Sequence, residues 1–367
     1  MNTPTVKALA ERLRAELPAP HVLDLDLGGL KIRVGCSSEP LREALADYFK
    51  EFTGVFPFPD VLITAHEAPA PEPGLGAGVE YQVKEPDPGK SKIKEEWADL
   101  EDGRIVRKRL TGLVFAFGLG VNAVVGPCLE NANQVINFVN NRLLEHRLNN
   151  GGLLGHASGV HLHGRGISLA GFSGAGKSTL ALHLMSRGTH FVSNDRVVVR
   201  ERGGEVEMFG VAKQPRINPG TALNNPDLAR IVPPEERERF AALPLEELWS
   251  LEHKYDALID VCYGPGLFQL HSPMDALVIL NWRRDGGPTR VARADARDRH
   301  DLLPAFMKPT GLFYHPADPA RTADPGIEAY AELLSRAELI EISGGVDFHL
   351  AAGACLKYLE TGVVPNV

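Results

Sequence analysis

Cysteine is scarce in this chain: four residues in 367, at Cys36, Cys128, Cys262 and Cys355. They lie far apart with no C-x-x-C pair, which excludes the usual zinc and dithiol redox sites and leaves buried thiols in a reducing compartment. Long apolar runs are missing too. The most apolar stretch, residues 112–126, is broken by Asn122 and several glycines, and it falls short of the roughly 20 residues a spanning helix needs. Charges interrupt the opening MNTPTVKALAERLRAELPAP, so it offers no signal-peptide core, and a cytoplasmic protein is expected. Nor is there an excess of positive charge. A net charge of −8 and a pI near 5.9 give no field to hold nucleic acid or an anionic membrane, and neither partner is expected. Any phosphate must be held by a local device.

What is present is the composition of an ordinary globular protein, 44% hydrophobic and 23% charged. The length suggests two domains, each large enough for its own core. Leu41, Ala44, Leu45, Tyr48, Phe49 and Phe52 recur at helical spacing, and short strand patterns flank them at 30–35 and 60–65. The LDLDLGG segment alternates Asp24 and Asp26 with leucines, as a half-buried strand does. Residues 68–89, rich in proline and glycine, read as a loop or linker. The charged segment KSKIKEEW that follows could bind a substrate carboxylate or phosphate but reads first as a solvated helix face, and strand-like runs come after it at 103–110, 113–118 and 121–125. Residues 129–148 carry a helical apolar stripe that Asn149, Asn150, Gly151 and Gly152 stop. The pattern then changes to short strands with glycine turns, later alternating with helices. The last helix is expected from Asp347, a good cap, to Glu360, before Gly362. With the 129–148 helix counted as the opening of the second domain, the division is 1–128, a mixed α/β unit, and 129–367.

The most informative segment is GISLAGFSGAGKSTLALHLMSRG. Gly171, Phe172, Ser173, Gly174, Ala175, Gly176, Lys177 and Ser178 fit G-x-x-x-x-G-K-[ST] at every fixed position, between an apolar strand and a helix that continues through Thr179. Glycines let backbone N–H groups converge on an anion, and the helix start adds donors and partial positive charge. Lys177 supplies a full charge for the β- and γ-phosphates of ATP, and the Ser178 hydroxyl is a Mg²⁺ ligand in this reading. After the helix, Asn194 and Asp195 end a strand. An aspartate there either holds Mg²⁺ and takes a proton from an attacking hydroxyl, or merely caps its own turn.

The strings GHASGVHLHGRGISLAGFSGAGKS and RGTHFVSNDRVVVR resemble the catalytic domain of bacterial HPr kinase/phosphorylase, over His156 to Arg200. That family has a histidine 21 residues before the loop lysine, and here 177 − 156 = 21. It has an acidic pair 17 and 18 residues after the lysine, and 194 − 177 = 17 and 195 − 177 = 18 give Asn194 and Asp195. The resemblance implies an α/β P-loop kinase domain of the HPr kinase and phosphoenolpyruvate carboxykinase type; the smaller mixed α/β domain that precedes it is expected, from the domain arrangement alone, to select the acceptor. The resemblance also implies a homo-oligomer. It assigns Asp195 as base toward a serine-like hydroxyl of a protein, peptide or small molecule, His156 as its supporting neighbour, and Ser178 with Asp195 as the Mg²⁺ ligands. Asn194 departs from the family by one negative charge. The family's second signature has only Glu205–Gly210 as a weak counterpart, with no metal role assigned to Glu207, so the reverse phosphorolysis is not expected. Length and the added N-terminal region look more like the group called HprK-related kinase B, whose substrate is unassigned. The competing reading is an ATP-binding sensor or scaffold of the same fold with little turnover.

Weaker candidates complete the reading. Arg216, with Lys213 in a proline-bounded turn, could neutralise a transferring phosphate or simply face solvent. Arg283 and Arg284 close an apolar run; they could meet the nucleotide or an acidic partner, but read first as exposed charges. His161 and His163 share a strand face without a third ligand and read as structural.

Overall fold

Residues 5–71, 79–86, 91–244, 247–248, 251, 253–318 and 324–365 are described by the computed structural model. The chain divides into Met1–Asn150 with Thr310–Ala323, and Gly151–Pro309 with Asp324–Val367. This differs from the boundary expected at 128/129.

The first unit is built on one mixed sheet, eight-stranded among the described residues. Its strands are β1 (His21–Asp26), β2 (Lys31–Cys36), β3 (Val61–Glu67), β4 (Gln82–Val83), β5 (Glu95–Leu100), β6 (Gly103–Lys108), β7 (Val114–Gly118) and β8 (Val121–Gly126). They lie in the order β1-β2-β3-β8-β7-β6-β5-β4. β2, β3 and β8 are parallel neighbours, and the rest pair antiparallel. α1 (Val6–Glu16) went unread in the sequence because its charges drew attention first. Yet Val6, Leu9, Ala10 and Leu13 form one buried stripe, packed with Ile105, Val114 and Ala116, and Thr5 caps the helix through Ala8 N–H at 3.1 Å. α2 (Glu39–Tyr48) follows the expected periodicity and buries Leu41 and Leu45.

α3 (Ala132–Asn149) corrects the domain division. Its Phe138 packs on Phe115 and Phe117 of β7, with ring centroids 5.0 and 6.0 Å apart. Phe313, from the returning segment, stacks on Phe117 at 5.7 Å. Four phenylalanines thus fasten α3 and residues 310–318 to the first sheet. Arg142 of α3 is buried among them, its guanidinium 4.2 Å from the Phe117 ring centre and 2.9 Å from Glu145.

The KSKIKEEW segment is not helical where it is described: it leads into β5. Strand pairing places Glu95 opposite Lys108 and Glu96 opposite Arg107, and Arg107 donates to Glu96 at 2.7 Å. These cross-strand ion pairs take the place of i,i+4 pairs on a helix. Residues 72–78 and 87–90, from the expected linker and the charged segment, lie outside the described residues.

The second unit has two main sheets. One contains β10 (Ala157–Leu162), β11 (Arg165–Gly171), β12 (His190–Ser193), β18 (Ala276–Trp282), β19 (Arg290–Ala294) and β20 (Glu338–Gly344) in the order β12-β10-β11-β18-β20-β19. β11, β18 and β20 run parallel at its centre. The other, antiparallel, contains β9 (Leu153–Gly155), β13 (Val197–Arg202), β14 (Glu205–Phe209) and β17 (His271–Pro273). α4 (Lys177–Met185) is buried on two faces. Leu180, Ala181 and Leu184 pack with Ala351, Ala352 and Cys355 of the helix Phe348–Thr361, while Leu182 and Met185 join a separate cluster. That last helix matches expectation: Asp347 accepts from His349 and Leu350 N–H, both at 2.9 Å, and Gly362 ends it at φ 71°. All four cysteines are free and buried; burial pushes the Cys36 and Cys355 thiols up to about 12. No helix among the described residues is long and apolar enough to cross a membrane.

Candidate functional site

β11 ends in Gly171 and α4 begins at Lys177, so the loop spans the gap between the central strand and a buried helix. Its conformation depends on one glycine above all. Gly176 caps α4 at φ 91°, and a Cβ there would lie 2.5 Å from the Phe348 ring, so any side chain would be strained and would also clash. Phe348 in turn meets Trp282 edge-on at 5.0 Å, and the Trp282 indole N–H donates to Ala175 O at 2.9 Å. The loop therefore rests on an aromatic pair. The Lys177 ammonium donates to Gly171 O at 2.7 Å and more weakly to Phe172 O at 3.4 Å. Burial pushes its pKa down, partly offset by the charge of Asp195.

One cavity of about 1050 Å³ brings most of the expected residues together: His156, Ser173, Gly174, Ala175, Gly176, Lys177, Ser178, Thr179 and Asp195. Gly171 is not in its wall; it contributes the carbonyl that Lys177 holds. Thr179 hydrogen bonds Thr221 at 2.8 Å, tying α4 to the helix Pro219–Leu223. Asn194 Oδ1 accepts from Ser178 Oγ at 2.7 Å and from Ser158 Oγ at 2.9 Å. The departure from an acidic pair thus leaves a neutral oxygen shared by two hydroxyls.

Asp195 stands in a tight turn at φ 70°, a conformation that short polar side chains tolerate better than most. Buried Ser193 builds the turn: its Oγ donates to Arg196 O at 2.5 Å and accepts from Val211 N–H at 3.1 Å. The half-exposed Asp195 carboxylate lies 3.2 Å from His156 Nε2, 3.6 Å from Lys308 Nζ and 3.7 Å from Arg196 Nε. Burial raises its pKa, but the His156 hydrogen bond and the Lys308, His156 and Arg196 charges outweigh this and hold it well below the usual carboxylate range. Gly155 sets the position of His156. A Cβ on Gly155 would meet the Phe306 ring at 2.2 Å, and His156 N–H donates to Phe306 O at 2.5 Å.

Sequence reasoning missed Lys308, which reaches Asp195 from a distant loop with no local motif around it. Ser158 was likewise invisible, its role depending on the pairing of β10 beside β12. Lys213, Arg216, Arg283 and Arg284 all line the cavity. His161 does not; it faces His190 across β10 and β12 with ring centroids 6.1 Å apart, and His163 sits at the hairpin tip at φ 49°. Glu207 pairs with Arg200 at 3.0 Å and His271 at 3.1 Å, outside the cavity wall. Asp24 belongs to the first unit, where it holds Arg33 at 2.7 Å, and Asp26 there accepts from Gly29 N–H at 2.7 Å.

Comparison with known proteins bears on the same segment. Residues 153–217 match the family described as the HPr Serine kinase C-terminal domain. The chain is 43% identical over 53 residues to HPr kinase/phosphorylase of Chlorobium phaeovibrioides, covering 14% of this chain and 16% of that protein. It is 48% identical over 48 residues to the same-named protein of Chlorobium chlorochromatii, covering 13% and 14%. With that of Prosthecochloris aestuarii it shares 45% over 51 residues, covering 14% and 15%. The matches therefore span 16% or less of the length of these curated relatives. A solved structure of the Hpr(Ser) kinase/phosphatase from Coxiella burnetii aligns at 11% identity and a TM-score of 0.28, over 57% of this chain and 99% of that one; a likeness that weak carries no argument. The local match is what counts: residues 153–217 are similar to the HPr Serine kinase C-terminal domain, a segment that contains both the glycine loop and the Asn194–Asp195 turn.

Proposed function

We propose that this protein is an ATP-dependent kinase that transfers the γ-phosphate to a hydroxyl, serine-like in character. The observation that carries the reading is the meeting of a glycine loop, its lysine and a histidine-bonded aspartate in one cavity. In this reading Gly171, Ser173, Gly174, Ala175, Gly176, Lys177, Ser178 and Thr179 bind the triphosphate. Lys177 gives up its bonds to Gly171 and Phe172 for phosphate oxygens. Ser178, Ser158, Asn194 and Asp195 offer hydroxyl, amide and carboxylate oxygens and no softer atom, a donor set that fits Mg²⁺. Ser178 and Asp195 would hold the ion, which when bound neutralises charge on the β- and γ-phosphates.

Asp195 orients the acceptor hydroxyl and takes its proton, while His156 fixes the carboxylate. The cations that lower the Asp195 pKa make it a weak base on its own. An arriving phosphoryl group brings negative charge that offsets them, and phosphoryl transfer depends on positioning more than on base strength. The neutral Asn194 favours a second reading, an ATP-binding sensor with slow turnover, because a two-carboxylate metal site is incomplete. Transfer of label from γ-labelled ATP separates the two. Asp195→Ala is expected to abolish transfer while ATP titrates normally. Equal transfer by the variant would remove Asp195 from the mechanism, and no transfer by the unaltered protein would favour the sensor.

A further inference from the structure

The cavity wall is strongly biased in charge. Its lysines and arginines are Lys177, Lys213, Arg216, Lys254, Arg283 and Arg284, against the two carboxylates of Asp195 and Asp347. Asp347 is engaged in capping its helix. The cations also differ in where they stand. The charges that act on Lys177 are Asp195 and Lys308. Those that act on Lys213 are Arg196, Asp195, Arg216 and Asp256. The Asp195 charge thus acts on both the loop lysine and Lys213.

A second group of cations is carried by a two-stranded ribbon, β15 (Arg216–Ile217) paired with β16 (Tyr255–Asp256). Lys213 precedes it on one strand and Lys254 directly precedes the other. Arg216 pairs with Asp256 at 3.1 Å, with both side chains mostly exposed, an ion pair that solvent weakens and an incoming anion can exchange. In phosphoryl transfer the attacking hydroxyl and the leaving group lie roughly in line on opposite sides of the phosphorus. Lys213 and Arg216 line the same cavity as Lys177 and Asp195, so with Lys177 on the nucleotide and Asp195 on the hydroxyl these cations are left for the rest of the acceptor. The cavity, at about 1050 Å³, stands at the top of the roughly 300–1,000 Å³ range of small-molecule pockets, consistent with a second molecule beside a nucleotide.

Resting on the kinase reading above, we propose that the acceptor is a small hydroxyl compound with net negative charge, whose own carboxylate or phosphate is bound by Lys213 and Arg216. The hydroxyl oxygen forms a bond to the γ-phosphorus, the bond from that phosphorus to the β–γ bridging oxygen breaks, ADP leaves, and Asp195 receives the hydroxyl proton.

The test uses the full chain, Mg·γ-labelled ATP, and a bacterial extract passed through a membrane that retains proteins and split on an anion exchanger at neutral pH. Label is expected on a compound from the retained fraction. Phosphatase treatment of that fraction beforehand identifies the anion: loss of acceptor activity marks a phosphate ester, persistence a carboxylate. Arg216→Ala is expected to raise KM for that acceptor roughly tenfold or more, with KM for ATP unchanged and partial recovery in Arg216→Lys. A folding defect would not produce that split. Label on a compound from the flow-through, or only on material held back by the membrane, overturns the inference and leaves the kinase reading standing. An unchanged acceptor KM in Arg216→Ala also overturns it. No label in any fraction overturns the kinase reading, and this inference with it.

Discussion

Two charged side chains, one in each unit, meet opposite fates. Arg142 in the first unit is buried between Phe117 and Phe138 and bonded to Glu145, and its guanidinium also donates to the Phe313 carbonyl. Burial pushes its pKa down and Glu145 pulls it back up, with Nε left without a partner among the described residues. Asp195 in the second unit is half exposed, stands in a left-handed turn and has two cationic neighbours, Lys308 and Arg196, beside His156 for one carboxylate. The first arrangement neutralises its charge with local protein groups and reads as structural. The second leaves an excess of one sign facing a cavity, which is what a site for an anionic ligand requires. A conspicuous charge alone says little; the balance around it tells structure from site.

That contrast can be broken by experiment. The largest effect is expected from Arg142→Ala, which removes a buried ion-pair partner and the filling of a phenylalanine cage. The first unit should lose about 3–5 kcal/mol, seen as a lower denaturation midpoint, while ATP affinity stays within twofold; a large loss of ATP affinity would erase the distinction between the two regions. Next, Lys177→Ala should weaken ATP binding by roughly ten- to a hundredfold in titration, since it removes a charged hydrogen-bond donor. Asn194→Asp should tighten Mg²⁺ binding in the presence of nucleotide by a smaller factor, because it replaces a neutral oxygen with a charged one beside Ser178. The smallest effect concerns acid. Asp195 has a folded-state pKa below its unfolded value of roughly 3.9, so its contribution is present above that value and is lost as pH falls through the folded pKa. Stability should rise with pH in that acidic window, and Asp195→Asn should flatten the slope there.

Sequence and structure agree best where function is carried by contiguous residues. The loop from Gly171 to Ser178 was legible because both its glycines and its flanking strand and helix are local. Asp195 was legible as a strand-end acid, but its low pKa was not, since Lys308 arrives from a distant loop. His156 was singled out through a family resemblance; its 3.2 Å contact with Asp195 requires β9 and the β12–β13 turn to meet. KSKIKEEW misled for the same reason: Glu95 and Glu96 are satisfied by Lys108 and Arg107 of β6, a partner that helical spacing does not consider. α1 shows the reverse case, where the pattern was present and the interrupting charges hid it.

The seating of Phe348 against Gly176 has one more consequence. The ring occupies the volume beneath the loop's left-handed residue, and it opens the helix that runs to Thr361. Loop and helix therefore cannot loosen independently: a ligand that clamps the amides of residues 174–177 also pins the root of a fourteen-residue element, which turns local occupancy into rigidity farther along the chain.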